Sequence, residues 1–469
     1  MRKALKYIGV GLLVLSIISL PFAWPFIRMV WVFIPRIPAP DYAEPATVVE
    51  ARLQDIDYLS TLTQYDRSFS ESARDEFANA LASLAERAAG LSDAELYLAI
   101  AEAVALADNG HTGVTSMPQY TKFATIGARL YNFEDGLFVV AAVEEAADTV
   151  GRKVIAVNGM ETEALQGKIS RFRGGSAVWR KLHTSYLIES PELLTAAGFG
   201  ESAQWVDLTL EDALGNREVV RFEALARDES EEPSWRSAFY SIVPGLSTGD
   251  STNWTHALGG EDSSTPTYMT SMWEALHYDL ENNGLYIRAL PGFAVGEDSI
   301  ESVYESVLGS YPEGSLDYLV VDFRLHDGGD YTKSMDFAED APDLVKEDGK
   351  VYIATGPNTF SAGIVTVAML KYYSGDRAMI VGERLGDREQ FWAERGARFE
   401  LPNSGYYIGY ATGYHDWEKG CKGEPYCYTM NEMYEVPAGS LDPVVNLPQS
   451  FTSYAAGEDV VMEWVDSRH

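Results

Sequence analysis

Cysteine is nearly absent: the 469 residues hold two, Cys421 and Cys427, in the segment CKGEPYC. That excludes a cysteine-built zinc site, which needs more ligands at tighter spacing. In an oxidising compartment a Cys421–Cys427 disulfide closing a small loop is expected, in preference to a pair of unpaired surface thiols. Positive charge is also scarce, with 36 Lys and Arg against 70 Asp and Glu and a formal net charge of −34. So acidic a chain repels phosphates at long range, which argues against nucleic acid as a partner. Internal repeats and low-complexity tracts are missing too. What is present is 46% hydrophobic residues, enough to exclude disorder, in a length that allows two or three domains with a sizeable core.

Charge of either sign is missing from Tyr7 to Ile27, a run of 21 residues that follows Arg2, Lys3 and Lys6. At about 1.5 Å per residue, such a run spans a hydrocarbon core of about 30 Å. Pro21 and Pro25 would kink the helix without forbidding it. No convincing Ala-x-Ala cleavage site follows, so the reading is an uncleaved signal-anchor rather than a cleaved signal peptide. Basic residues at the very start place the N-terminus in the cytoplasm and the body outside it, in the periplasm or extracellular space. Met29–Ile34 adds an apolar stretch suited to the membrane interface.

Four segments follow from the pattern. Residues 1–38 are the transmembrane segment, and Pro35–Pro45 is a proline-rich spacer leaving the membrane. Residues 39–118 read as a helical domain. Phe77, Leu81, Leu84 and Ala88 share one helical face, and Ser92 with Glu95 resembles a capping box. That helix leads to Asp108-Asn109-Gly110-His111-Thr112. Residues 119–230 read as short strands and turns, and 226–275 as polar linker and loops containing a sequon, Asn253-Trp254-Thr255. From Asn283 strands and helices alternate, so 231–469 is expected to be an α/β unit with a largely parallel sheet.

Within that unit, Val351–Thr355 is a buried strand, Gly356-Pro357-Asn358 a turn, and Ala362–Tyr373 a helix of small and apolar residues. Ser361 therefore opens a helix directly after a strand. Free backbone N–H groups and the positive end of the helix dipole favour negative charge there. Such a setting suits a nucleophile whose reaction builds an oxyanion. An ordinary N-cap serine would look the same.

The neighbouring segments LDYLVVDFRLHDGGD (316–330), MIVGERLGD (379–387), LPNSGYYIGYATGY (401–414) and LDPVVNLPQSFTSYAAGEDVVMEWV (441–465) extend the pattern. In order and spacing this series resembles the C-terminal-processing, or tail-specific, serine peptidases, including their tricorn-like and retinoid-binding-protein-like branches. The resemblance covers roughly residues 100–465. It implies an α/β fold with a crotonase- or ClpP-like core. It also implies a PDZ-like domain, since Gly-x-x-Val-Ile-Ala-Val-Asn-Gly at 151–159 is similar to a PDZ segment of the family. The usual carboxylate-binding loop is missing. Activity on a protein or peptide substrate is implied, with no metal and no cofactor. A binding protein on the same scaffold is the competing reading.

Most members of the family use a lysine in a Gly-Glu-x-x-x-Gly-Lys segment. Here the segment is GERLGDRE, with Asp387 or Arg388 where the lysine would stand. Arginine stays protonated and cannot be the base. The tricorn-like branch uses a histidine instead, and Asp108–Thr112 resembles its Asp-Gly-His-Thr segment, so His111 becomes the base expected for Ser361. The resemblance places oxyanion donors on Ala362 and on the Gly328–Gly329 turn, where His326 replaces the family's asparagine. It offers Glu435 as the third catalytic residue, with Asp416 and Glu418 as rivals. Asp322 and Arg324 read as a buried structural pair.

Overall fold

The computed structural model describes residues 24, 26–115, 122–225, 241–244, 254–258, 265–270, 276–289 and 299–469. Most of the uncharged run from Tyr7, and Asn253 of the sequon, lie outside them. Among the described residues no helix is long and apolar enough to cross a membrane.

The chain forms a mixed α/β structure with several sheets. Three helices open it, Val48–Ser60, Glu71–Arg87 and Asp93–Ala105. Ser92 and Glu95 form the reciprocal cap read from sequence: Ser92 N–H donates to the Glu95 carboxylate at 2.6 Å and Glu95 N–H to Ser92 Oγ at 3.2 Å. The face carrying Phe77, Leu81, Leu84 and Ala88 is buried.

An antiparallel sheet follows, in the order Ala128–Phe133, Gly136–Val143, Lys153–Val157, Trp205–Glu211, Arg217–Glu223. Two parts of this region depart from the sequence reading. Thr162–Ile169, Ala177–Ile188 and Pro191–Ala196 are helices, not strands and turns. The polar stretch read as linker is partly structured: Trp254–His256 pairs with Ala141–Val143, past the boundary set at residue 230. Ile242, Val243, Leu258, Tyr268 and Met269 are buried with Trp179 and Phe360 in one cluster.

The last unit holds a six-stranded sheet in the order Val445–Asn446, Ala378–Gly382, Val345–Thr355, Leu316–Asp322, Gly284–Arg288, Leu276–Leu280. All neighbours run parallel except the final pair. Such a sheet is covered on both faces, which is why Leu319–Asp322 and Val351–Thr355 are continuously buried. The helix Ala362–Ser374 packs on one face and Val460–Asp466 on the other.

The apolar stretch Met29–Ile34 does not lie apart from the body. Phe33 is fully buried in the core of the last unit, its ring edge-on to Tyr428 at 5.1 Å, and its carbonyl accepts from Thr412 Oγ1 at 2.8 Å. Arg28 forms an ion pair with Glu432. The other side of the same turn leaves Trp31 and Val30 exposed. Cys421 and Cys427 form a disulfide, with Cα atoms 5.5 Å apart.

At the sheet's C-terminal edge, the buried Arg324 is held between the buried Asp322 and the partly buried Asp459. Its Nη1 and Nη2 reach Asp459 at 2.8 and 2.9 Å, its Nε reaches Asp322 at 3.0 Å, and its guanidinium lies 3.7 Å over the Tyr268 ring. Asp459 also caps the last helix by accepting from Val461 and Met462 N–H. The triad ties the strand that leads to the Gly328 turn to the C-terminal helix.

Candidate active site

Ser361 sits on a turn fixed at several points. Thr359 Oγ1 donates to the Phe323 carbonyl at 2.8 Å and accepts from Gly356 N–H at 2.9 Å, joining the ends of two neighbouring strands. Phe360 N–H donates to the His326 carbonyl and Gly386 N–H to the Thr359 carbonyl. Between these clamps Ser361 adopts φ 53°, ψ −119°. A non-glycine residue there is strained by about 1–3 kcal/mol, and it stays only where the surroundings over-determine it. The serine stands at the N-cap position of Ala362–Ser374, yet its side chain caps nothing. Its Oγ faces His111 Nε2 at 2.9 Å.

His111 arrives on the loop that ends the helix Asp93–Ala105. Asn109 brackets the Trp392 backbone, its Nδ2 donating to the carbonyl at 3.0 Å and its Oδ1 accepting from N–H at 3.2 Å. Thr112 Oγ1 donates to Asp66 Oδ2 at 2.7 Å. Asp66 is itself fully buried and accepts from Ser68 and from Ala411 N–H. Both flanks of His111 are thus tied down. Its ring lies between Phe360, at 4.5 Å between centroids, and Phe391, at 5.3 Å. These apolar walls, with the charges of Arg395, His415 and Arg173 added, push its pKa down to about 3. The imidazole is therefore neutral at neutral pH, with Nε2 free to accept from the serine. Its Nδ1 is buried without a hydrogen bond.

The Gly328–Gly329 turn closes the third side. Both glycines have positive φ, 134° and 120°. A Cβ on Gly328 would stand 3.0 Å from Ser361 Cβ, so only glycine lets the backbone come this close. His326 is buried under the start of the serine's helix, where a Cβ on Gly363 would strike its carbonyl and Nδ1. Burial lowers its pKa to about 4 and keeps it neutral.

The acids expected beside His111 lie elsewhere. Glu435 is exposed and pairs with Lys422 at 3.0 Å. Asp416 closes its own turn, accepting from Glu418 and Lys419 N–H, and Glu418 accepts from Gln390 Nε2 at 2.6 Å. None of the three is bonded to His111, which corrects the expectation. Sequence reasoning also missed Asp66, Phe360 and Phe391 as the frame of the histidine, and no local signal marks them. Among the described residues no group of three or more His, Cys, Asp or Glu is placed to hold a metal ion.

No protein-family model matches the chain, and neither does any curated protein. Solved structures do. Mature CPAF complexed with lactacystin is 13% identical, with 90% of this chain and 98% of that one covered at a TM-score of 0.53. A CPAF mutant is also 13% identical, with 89% and 96% covered at a TM-score of 0.55. The chain therefore has a CPAF-like fold over nearly its whole length. The tricorn protease matches as well, at 13% identity and a TM-score of 0.37, with 90% of this chain and 37% of that one covered.

Proposed function

We propose that the protein is a serine peptidase with a crotonase-like core and a PDZ-like second domain. It cleaves protein or peptide substrates through an acyl-enzyme on Ser361. The observation that carries this reading is the strained Ser361 with its Oγ 2.9 Å from a neutral, doubly braced His111. A serine that merely capped a helix would bond to the backbone N–H groups after it, and would need no left-handed conformation. A binding protein on this scaffold would have no use for either feature.

In the reaction His111 Nε2 takes the Ser361 proton as Oγ attacks the substrate carbonyl. The Gly328–Gly329 turn and the Ala362 N–H hold the oxyanion. The imidazolium then gives its proton to the leaving amine, and water repeats the sequence on the ester. Incubation with an unfolded protein such as reduced casein should yield peptides by mass spectrometry. Intact casein after prolonged incubation would overturn the peptidase reading.

The pH profile has a definite sign. Burial depresses the pKa of His111, so its basic form persists well below the ordinary value of 6.5. The acid limb of kcat/KM, which reports the free enzyme, should therefore lie below pH 6.5. A limb at or above 6.5 in the wild type would show that His111 is not the desolvated base described here.

The proposed location is a membrane surface outside the cytoplasm, with the N-terminal uncharged run as the anchor. Its support is that run together with Trp24, Phe26, Val30 and Trp31, which are exposed at the junction with the body. Aromatic side chains are favoured at such interfaces.

A further inference from the structure

We propose that Asp387 is the positioning acid of this site: its carboxylate, unbonded in the resting structure, takes up the Nδ1 proton of His111 as a hydrogen bond when the imidazole becomes charged. The inference rests on the reading of His111 as the base of Ser361. Two buried polar atoms of complementary chemistry are without hydrogen bonds here: Asp387 Oδ2, an acceptor, and His111 Nδ1, which carries a proton when Nε2 accepts from serine. Asp387 is only 6% exposed. Its Oδ2 lies against Gly110, the residue before His111, so closely that a Cβ on Gly110 would collide with it. The same Cβ would collide with the ring of Phe360, which packs against the imidazole. Glycine at 110 therefore leaves the space into which the carboxylate reaches.

The carboxylate is held from behind. Arg388 N–H donates to Oδ1 at 3.0 Å, the Ser176 N–H faces the group, and the Arg388 side chain is turned away to Asp108 at 2.9 Å. Oδ2 is left as the free acceptor on the side of Gly110. The charged and titratable groups around the pair are Arg388 and Asp108 beside Asp387, Arg395 and His415 beside His111, and Arg173, a buried cation that faces both and whose Nε is itself without a hydrogen bond. Burial raises Asp387 to about 6, so it is ionised at neutral pH. Its negative charge favours the imidazolium that forms when His111 takes the serine proton. The carboxylate thus serves a histidine base.

The test is Asp387→Asn, which keeps shape and removes charge. We expect kcat to fall about 100-fold with KM nearly unchanged. In the wild type activity should fall as Asp387 protonates near 6, and the variant should lack that limb, so that its acid limb moves to lower pH. A purely structural role would leave that limb in place. Because the variant can fail to fold, a second measurement uses the wild type: ¹⁵N spectra of its histidines across pH. The His111 Nδ1–H resonance should be present at neutral pH and shift as Asp387 titrates near 6. Wild-type activity with an unmoved limb in the variant, or a His111 resonance indifferent to that titration, would overturn the role of Asp387 alone. A wild type that hydrolyses nothing would instead count against the peptidase reading, and the spectra would still decide the pairing.

Discussion

Ser361→Ala and His111→Ala should each lower kcat/KM by about four orders of magnitude or more, and the double variant should be little worse than either. Residues that act as one unit lose nearly everything when the first is removed. The 2.9 Å contact between Oγ and Nε2 makes them such a unit, since the histidine takes its proton from this serine. Neither change should unfold the protein. Ser361 adds a hydroxyl to a backbone already fixed by Thr359 and Phe360, and alanine can occupy that backbone at the same strain. His111→Ala opens a gap between Phe360 and Phe391, so its stability should fall modestly while its activity falls almost completely. Equal and additive losses would mean that the two side chains act independently.

The largest effect on stability is expected at Arg324. Arg324→Met removes the cation shared by the buried Asp322 and the partly buried Asp459, and should cost about 3 kcal/mol in denaturant unfolding. Burial alone would raise the pKa of Asp459, but the charge and hydrogen bonds of Arg324 outweigh it and hold the carboxyl below its ordinary 3.8. A depressed carboxylate contributes stability that is present above 3.8 and lost as pH falls through the folded value. The wild type should therefore weaken in acid through this group. The variant should show its greatest deficit at neutral pH, where Asp459 is charged without its cation, and a smaller one as Asp459 protonates. A loss under 1 kcal/mol at neutral pH would mean that the triad contributes little net stability. The loss should also reach activity, because the same strand end leads into the Gly328 turn.

How much of this was legible beforehand depended on how local each feature is. The strand, turn and helix around Ser361 could be read directly, because continuous apolar residues, Gly-Pro punctuation and a small-residue helix are all contiguous. The capping box at Ser92 was legible for the same reason. The contact between His111 and Ser361 spans 250 positions and came into view only through a motif and a missing lysine. The acids were misplaced, because nothing in the composition around Glu435, Asp416 or Glu418 separates a surface carboxylate from one turned inward. Asp66 and the walls formed by Phe360 and Phe391 carry no local signal. The polar stretch after residue 226 hid a strand because Trp254–His256 borrows its partner from a hairpin more than a hundred residues earlier. The helices between Thr162 and Ala196 were missed where strands on either side dominated the pattern. Phe33 reads as part of an interfacial apolar run, yet the core of the last unit takes it in.

A fluorophosphonate probe tests directly whether Ser361 is an activated nucleophile. A serine hydroxyl is a weak nucleophile unless a base stands ready to take its proton. Wild-type protein should gain one covalent adduct, mapped by peptide mass spectrometry to the segment holding Ser361, and His111→Ala should gain almost none under the same conditions. An unmodified wild type, or labelling that persists undiminished in His111→Ala, would contradict an activated Ser361.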